Sequence, residues 1–312
     1  MKHLRTLRYF DVVARRRSIR QAAEDLSVDA SALNRRIQDF EAELGTPLFE
    51  RLPRGVRLNA AGELVVRYAR AQMADAERLR SQISDLSGVR RGHVSVAVSQ
   101  AVAATFLPAV IGEYARSFPN VTFEVMVRDH VNAQRALVEF EADLAIVFHP
   151  APQAELAPLL VVEQPLHAVM AETHPLAARE TVRLRDLRSE TLVLLDRSFG
   201  GRQILEEALA RRTQTLVPAI EANSFEFLRA YVRGEGAVTV QFAIGAPGIV
   251  ADPMALPGLV SRPVDPRDAP PGRLVLGQLR GRTLPVAAAK FADLVARRLD
   301  VRPPRDGERA AG

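Results

Sequence analysis

Apolar residues recur every three positions at the start of the chain, at Leu4, Leu7, Phe10 and Val13. That spacing marks one apolar stripe on a first helix, which ends in the charged run "RRR" at residues 15–17. Ser18 then reads as an N-cap, with Gln21 three positions on, the spacing of a capping box. Ile19, Ala22, Ala23 and Leu26 make a short second helix, and its two alanines would let another helix approach closely. Ser27 and Val28 form a tight turn, after which Asp29 can cap a third helix. On that helix Leu33, Ile37, Phe40 and Leu44 fall at spacings of 4, 3 and 4 and are expected to face a core, with Gly45 as the stop signal. At roughly 100° per residue, Ser31, Arg35 and Gln38 lie on the opposite side, with Asn34 on the flank. Alone, such a helix is most simply amphipathic with a solvated polar face.

The next segment favours a more specific reading. "FERLPRGVRLN", residues 49–59, reads as a hairpin whose tip at 53–55 can turn, with Arg51, Arg54 and Arg57 able to reach phosphates as a wing. Three short helices and a basic hairpin predict a winged helix-turn-helix. Its outer helix face would present polar groups and a cation to base edges. Charge supports this: residues 1–91 carry 18 Lys+Arg against 12 Asp+Glu, a net of +6, and the rest carries 24 against 25, a net of −1. Charge alone also fits uneven sampling in an Arg-rich chain.

Residues 60–90 predict a connecting helix with no proline. Val65, Gln72, Leu79 and Leu86 are seven apart, and Ala69, Ala76 and Ile83 fill the intermediate heptad positions. This is a short, thin seam for pairing two copies, and packing on the helix's own domain remains an alternative. Beyond residue 91, short β-rich runs alternate with helical stretches, as in a parallel sheet with crossovers. The unit occurs twice, which predicts an α/β region of two lobes: lobe I over about 91–162 and 267–300, lobe II over about 163–266. Proline-rich stretches at 150–158 and 247–271 read as loops near the crossovers, and residues 301–312 read as a disordered tail.

In open α/β sheets ligands bind beyond the carboxyl ends of strands, at helix N-termini. That rule selects Ser99, Gln100, Ala101, Arg128, Phe148 and His149 in the first lobe. In the second it selects Ser198, Phe199, Arg202, Asn223, Ser224 and Gln241, with Ser99, Ser198 and Ser224 equally readable as N-caps. Together these groups favour a small polar or anionic effector; an uncharged polar or aromatic ligand stays open.

The chain has 312 residues, no Cys and six scattered His, so disulfides, thiolate chemistry and Cys/His zinc spacings are excluded, and neither a metal nor a cofactor is expected. His130 and His149 could meet in space, but a lone His near a strand end is usually structural. No dinucleotide or phosphate-loop glycine pattern occurs, and "SFGGRQ" at 198–203 is only a weak phosphate cradle. No apolar run approaches the roughly 20 residues of a membrane span. The charged N-terminus does not form a signal-peptide core, so a cytoplasmic location is expected.

About sixty continuous residues, from "LRYFDVVARRRSIRQAAEDL" through "SALNRRIQDFEAELGTPLFER" to "RGVRLNAAGE", resemble the DNA-binding module of LysR-type transcriptional regulators. Where that family usually has Ser-Gln-Pro, this chain has Asp29-Ala30-Ser31, and Asn34 stands where a serine is common. Ala30 cannot replace a base-contacting glutamine, so an unusual base preference is expected. "LP" at 107–108, "FPNV" at 118–121, "ADLAI" at 142–146 and "HPLA" at 174–177 resemble, more loosely, the family's periplasmic-binding-protein-like effector domain. The resemblance implies an α+β multidomain protein and no enzyme. It further implies duplex DNA and a small effector as partners, pairing through the connecting helix, and a tetramer that bends its promoter. A ligand closing the cleft would shift the lobes. The residues themselves leave a second class open: a cytoplasmic α/β solute-binding protein or enzyme with an appended helical module.

Overall fold

The computed structural model describes residues 2–86, 91–148, 155–212, 215–248 and 257–300. His149, the tail from 301 and parts of both proline-rich stretches lie outside them. The chain divides into two compact units, one ending at Val89 and one beginning at Arg90.

The first unit holds α1 (Lys2–Arg16), α2 (Ile19–Leu26), α3 (Ala30–Glu43), a hairpin of β1 (Phe49–Leu52) and β2 (Gly55–Leu58), and the long α4 (Ala60–Leu86). Of the predicted stripe residues, Leu7, Phe10, Val13, Ala22, Ala23, Leu33, Ile37 and Phe40 are buried and Leu4, Ile19 and Leu26 are partly buried against them, while Leu48, Val56, Val66 and Ala69 add to the core. Phe10 meets Phe40 and Phe49 edge-on or tilted, at 5.8 and 5.1 Å between ring centres, closing the helices against the hairpin. Leu44 departs from expectation. It is 45% exposed because α3 has already ended there and the chain swings away through Gly45 at φ +68°. Asn59 starts α4 by accepting from Gly62 N, and Arg70 ties α4 to α1 through the buried Asp11 at 2.6 Å.

The second unit begins with β3 (Arg91–Val98), α5 (Gln100–Thr105), α6 (Leu107–Ser117), β4 (Asn120–Val127), α7 (His130–Val138), β5 (Leu144–Phe148) and β6 (Leu156–Gln164). There follow β7 (Leu166–Ala171), β8 (Val193–Leu195), α8 (Gly200–Ala210), β9 (Ile220–Ala222), α9 (Phe225–Glu235), β10 (Thr239–Phe242), β11 (Leu259–Pro263), β12 (Gly272–Leu279) and α10 (Val286–Leu299). A five-stranded sheet of order β4-β3-β5-β12-β6 builds lobe I; a β10-β7-β11 sheet and a β8-β9 pair build lobe II. The chain passes between the lobes at Pro165 and again between β11 and β12.

The all-parallel expectation is corrected. β3 pairs parallel with β4 and β5, but β12 runs antiparallel to both β5 and β6, and the three-stranded sheet is antiparallel throughout. The returning strands take up chain that its prolines mark as loop. Pro158 fits within β6 because β6 is an edge strand and the pairing shifts register at Gly277, where Pro158 lies opposite. One apolar core spans both lobes. It includes Val96, Ile146, Leu166, Met170 and Phe291, with Tyr114 bonded through its hydroxyl to Ala287 O.

Candidate functional site

In the first unit Asp29 shapes the outer helix. Its Oδ1 accepts from Ser31 N at 2.8 Å, Ala32 N at 3.0 Å and Ser31 Oγ at 2.5 Å. Those bonds, the Ser31 hydroxyl first, hold the Asp29 carboxyl below the usual carboxylate range. Leu33, Ile37 and Phe40 are buried under α3, while Ser31, Arg35 and Gln38 are exposed and Asn34 is half-buried on the flank. Arg35 has no ion pair among the described residues.

The hairpin pairs Arg51 with Val56 and Glu50 with Arg57 across its strands. Arg51, Arg54 and Arg57 are all exposed. Arg57 is bonded to Glu50 at 2.6 Å, so two of the three cations, Arg51 and Arg54, carry no ion pair among the described residues. The turn is pinned from behind, with Val56 N donating to Arg17 O at 2.9 Å.

The heptad positions of α4 divide between two environments. Ala69 is fully buried and Val65 half-buried against α1, so both pack inside their own module. Gln72 and Ala76 are half-buried, Leu79 and Ile83 are 56% and 55% exposed, and the side chain of Leu86 lies outside the described residues. Leu64 and Tyr68, which the heptad missed, are also exposed, at 62% and 53%. At 100° per residue, Leu64, Tyr68, Leu79 and Ile83 share a sector of about 100°.

In the second unit a cavity of about 280 Å³ opens between the lobes, where the strand ends meet. That is just below the usual range of ligand pockets, roughly 300 to 1,000 Å³. Ser99, Gln100, Ala101, Arg128 and Phe148 line it from lobe I; Ser198, Phe199, Asn223 and Gln241 line it from lobe II. Two expected residues do not. Arg202 is buried with its guanidinium turned to Glu206 at 2.6 Å, Glu221 at 2.8 Å and Leu195 O at 3.0 Å, so it braces α8 against β8 and β9. Ser224 serves as the N-cap of α9, accepting from Phe227 N.

Asp129, Asp196, Phe225 and Phe242 also line the cavity, each next to or near a residue that the rule selects. Asp196 binds its own turn, accepting from Ser198 N at 2.8 Å and Ser198 Oγ at 2.6 Å. Phe148 and Phe242 stack at 4.0 Å across the two lobes. Gly200 lets α8 start against that pair, since a Cβ there would sit 3.1 Å from that of Phe148.

Two wall atoms lack partners among the described residues: the buried Ser99 Oγ, whose residue heads α5 without a side-chain cap bond, and Gln241 Nε2 on a side chain 3% exposed. A buried polar atom left unpaired costs roughly 1–3 kcal/mol, and a ligand supplying the missing partner recovers it. Behind Gln241, on the paired strand, His167 is buried, and burial lowers its pKa to about 4. Among the described residues no cluster of His, Asp and Glu is placed to hold a metal.

A basic winged helix-turn-helix combined with a two-lobed, cleft-bearing α/β unit is the architecture of a ligand-responsive DNA-binding regulator. Residues 4–63 match the family model for the bacterial regulatory helix-turn-helix protein of the lysR family, and residues 87–300 match the LysR substrate binding domain. The chain therefore belongs to the LysR family of transcriptional regulators.

Among curated relatives it is 30% identical over 242 residues to a probable RuBisCO transcriptional regulator of Synechocystis, covering 75% of this chain and 70% of that one. It is 29% identical to the RuBisCO operon transcriptional regulator of Allochromatium vinosum, covering 74% and 76%. Its fold is similar to that of a full-length OxyR variant from Pseudomonas aeruginosa, with TM-score 0.71, 23% identity and 96% and 98% coverage. It is also similar to full-length CbnR solved with its target DNA, with TM-score 0.54, 21% identity and 95% and 99% coverage. Its families and relatives are regulators, not enzymes. No helix among the described residues is long and apolar enough to cross a membrane.

Proposed function

We propose that α3 docks in the major groove, with Ser31, Asn34, Arg35 and Gln38 toward base edges and Arg51, Arg54 and Arg57 on flanking phosphates. One observation carries this reading. The face of α3 opposite its buried Leu33, Ile37 and Phe40 is polar and exposed, and the cations Arg35, Arg51 and Arg54, without ion pairs among the described residues, belong to the same small module.

The interlobe cavity takes a small polar or anionic effector that accepts hydrogen bonds from Gln241 Nε2 and contacts Ser99. Its Phe148, Phe199, Phe225 and Phe242 offer apolar contact to the rest of the ligand. Two copies pair along the outer stripe of α4, at Leu64, Tyr68, Leu79 and Ile83, and two such dimers make the working tetramer. Pairing supplies a second α3 for the other half of a pseudo-palindromic site. The protein acts in the cytoplasm, where its DNA is.

The test is a titration of full-length protein against promoter duplexes at several salt concentrations. Specific binding should weaken steeply with salt, and Arg51→Ala or Arg54→Ala should each reduce the log–log slope by about 1. Binding indifferent to salt would contradict the phosphate role of the hairpin.

A further inference from the structure

We propose that Asp29, acting through Ser31, fixes the hydrogen-bond polarity of the first turn of α3, so that Ser31 Oγ meets DNA as an acceptor and reads an exocyclic amino group, adenine N6 or cytosine N4. The inference rests on α3 lying in the major groove.

A serine hydroxyl is ordinarily ambiguous, with one proton to donate and two lone pairs to accept, and in the groove it pairs with either kind of group. Here the ambiguity is removed. Ser31 Oγ lies 2.5 Å from Asp29 Oδ1, the same oxygen that caps the helix by accepting from Ser31 N and Ala32 N. The hydroxyl and the two backbone N–H groups together keep the carboxyl ionised. An ionised carboxylate only accepts, so the proton in the short contact is the hydroxyl's. With its single donor held, exposed Ser31 offers only lone pairs outward.

The neighbouring positions of the turn keep this polarity. Ala30 and Ala32 have no polar side-chain atom, and the second carboxylate oxygen of Asp29 is another acceptor. Side-chain donors begin further along the helix, at Asn34 and Arg35. The major-groove edge offers amino groups as donors, whereas purine N7, guanine O6 and thymine O4 accept. The first turn is therefore matched to amino groups and mismatched to acceptors. Asp29 is a positioning residue in this scheme, and Ser31 the one that touches the base.

The test uses the full chain and a duplex selected by it from a random library. Ser31→Ala identifies the base pair concerned as the one whose preference flattens. That pair is then altered one atom at a time. Purine for adenine, or 2-pyrimidinone for cytosine, removes the amino group; a 7-deazapurine removes N7. Wild type should lose about tenfold in affinity when the amino group is removed and nothing when N7 is removed, while Ser31→Ala should ignore both changes.

Asp29→Gly keeps a residue that caps helices nearly as well but frees the hydroxyl. Its penalty for losing the amino group should shrink, and a penalty for losing N7 should appear. A purely structural role for Asp29 would shift all three duplexes equally. The proposal is overturned if wild type is sensitive to N7 and not to the amino group, or if Ser31→Ala flattens no position. If no duplex is enriched above non-specific binding, the docking of α3 fails as well, which separates the two failures.

Discussion

Replacing Gly55 with alanine should unseat the wing. Gly55 sits at φ +120°, where a side chain is strained, and a Cβ there would lie 2.2 Å from the carbonyl oxygen of Arg17. That oxygen has little freedom to retreat. Arg17 is itself left-handed at φ 52°, and its carbonyl accepts from Val56 N at 2.9 Å. Strain at a non-glycine residue with this backbone costs about 1–3 kcal/mol, and the broken hydrogen bond adds about 1 kcal/mol. The sum, about 2–4 kcal/mol, is a large part of the stability of a small module.

Amide exchange followed by mass spectrometry reads this directly. Peptides covering residues 47–59 should exchange faster in Gly55→Ala, by a factor corresponding to those 2–4 kcal/mol, while peptides from the second unit stay unchanged. DNA affinity should fall as the tip carrying Arg54 is displaced. Arg54→Ala is the control: it should lose affinity without faster exchange. Wild-type exchange in Gly55→Ala would refute the claim that the hairpin is locked to the α1–α2 turn.

Acidification should weaken the second unit through His167, whose folded pKa of about 4 lies below its ordinary 6.5. The imidazole is neutral in the fold, so this contribution is fully present above pH 6.5 and is lost as pH falls towards 4. It amounts to about 2 kcal/mol by pH 5, seen as a urea-midpoint shift that His167→Gln removes; an equal shift in the variant would show other groups are responsible. Leu79→Glu should convert the dimer to a monomer in light scattering, and a variant that still dimerises would place the contact elsewhere. Ser99→Ala and Gln241→Leu should keep or raise the melting temperature, because each removes an unpaired buried atom, yet abolish the stabilisation given by the effector in a thermal-shift screen of small acids. Retained stabilisation in both would move the ligand out of the cavity.

Much of the first unit is legible in the sequence because its signals are local. Ser18, Asp29 and Gly45 punctuate the helices, and the periods of Leu33, Ile37 and Phe40 assign a face. The α4 seam is only half legible: periodicity shows that a helix has an apolar side, but not which part of it covers its own domain, and Val65 and Ala69 go to α1. The cavity is located by a rule about strand ends, which selects half of its lining residues. The rule cannot foresee where a long side chain turns, and Arg202 finds two carboxylates behind the wall. The antiparallel strands β6, β11 and β12 escape notice because their pairing partners are distant in sequence and their prolines read as loop signals.

Recognition of DNA through α3 is tested at its source by footprinting the full-length protein on the DNA upstream of its own gene, with wild type and Arg35→Ala in parallel. Two protected half-sites on one face of the duplex are expected, with about 1–3 kcal/mol weaker protection for the variant. Equal protection by both proteins, or none by wild type at low ionic strength, would contradict that recognition.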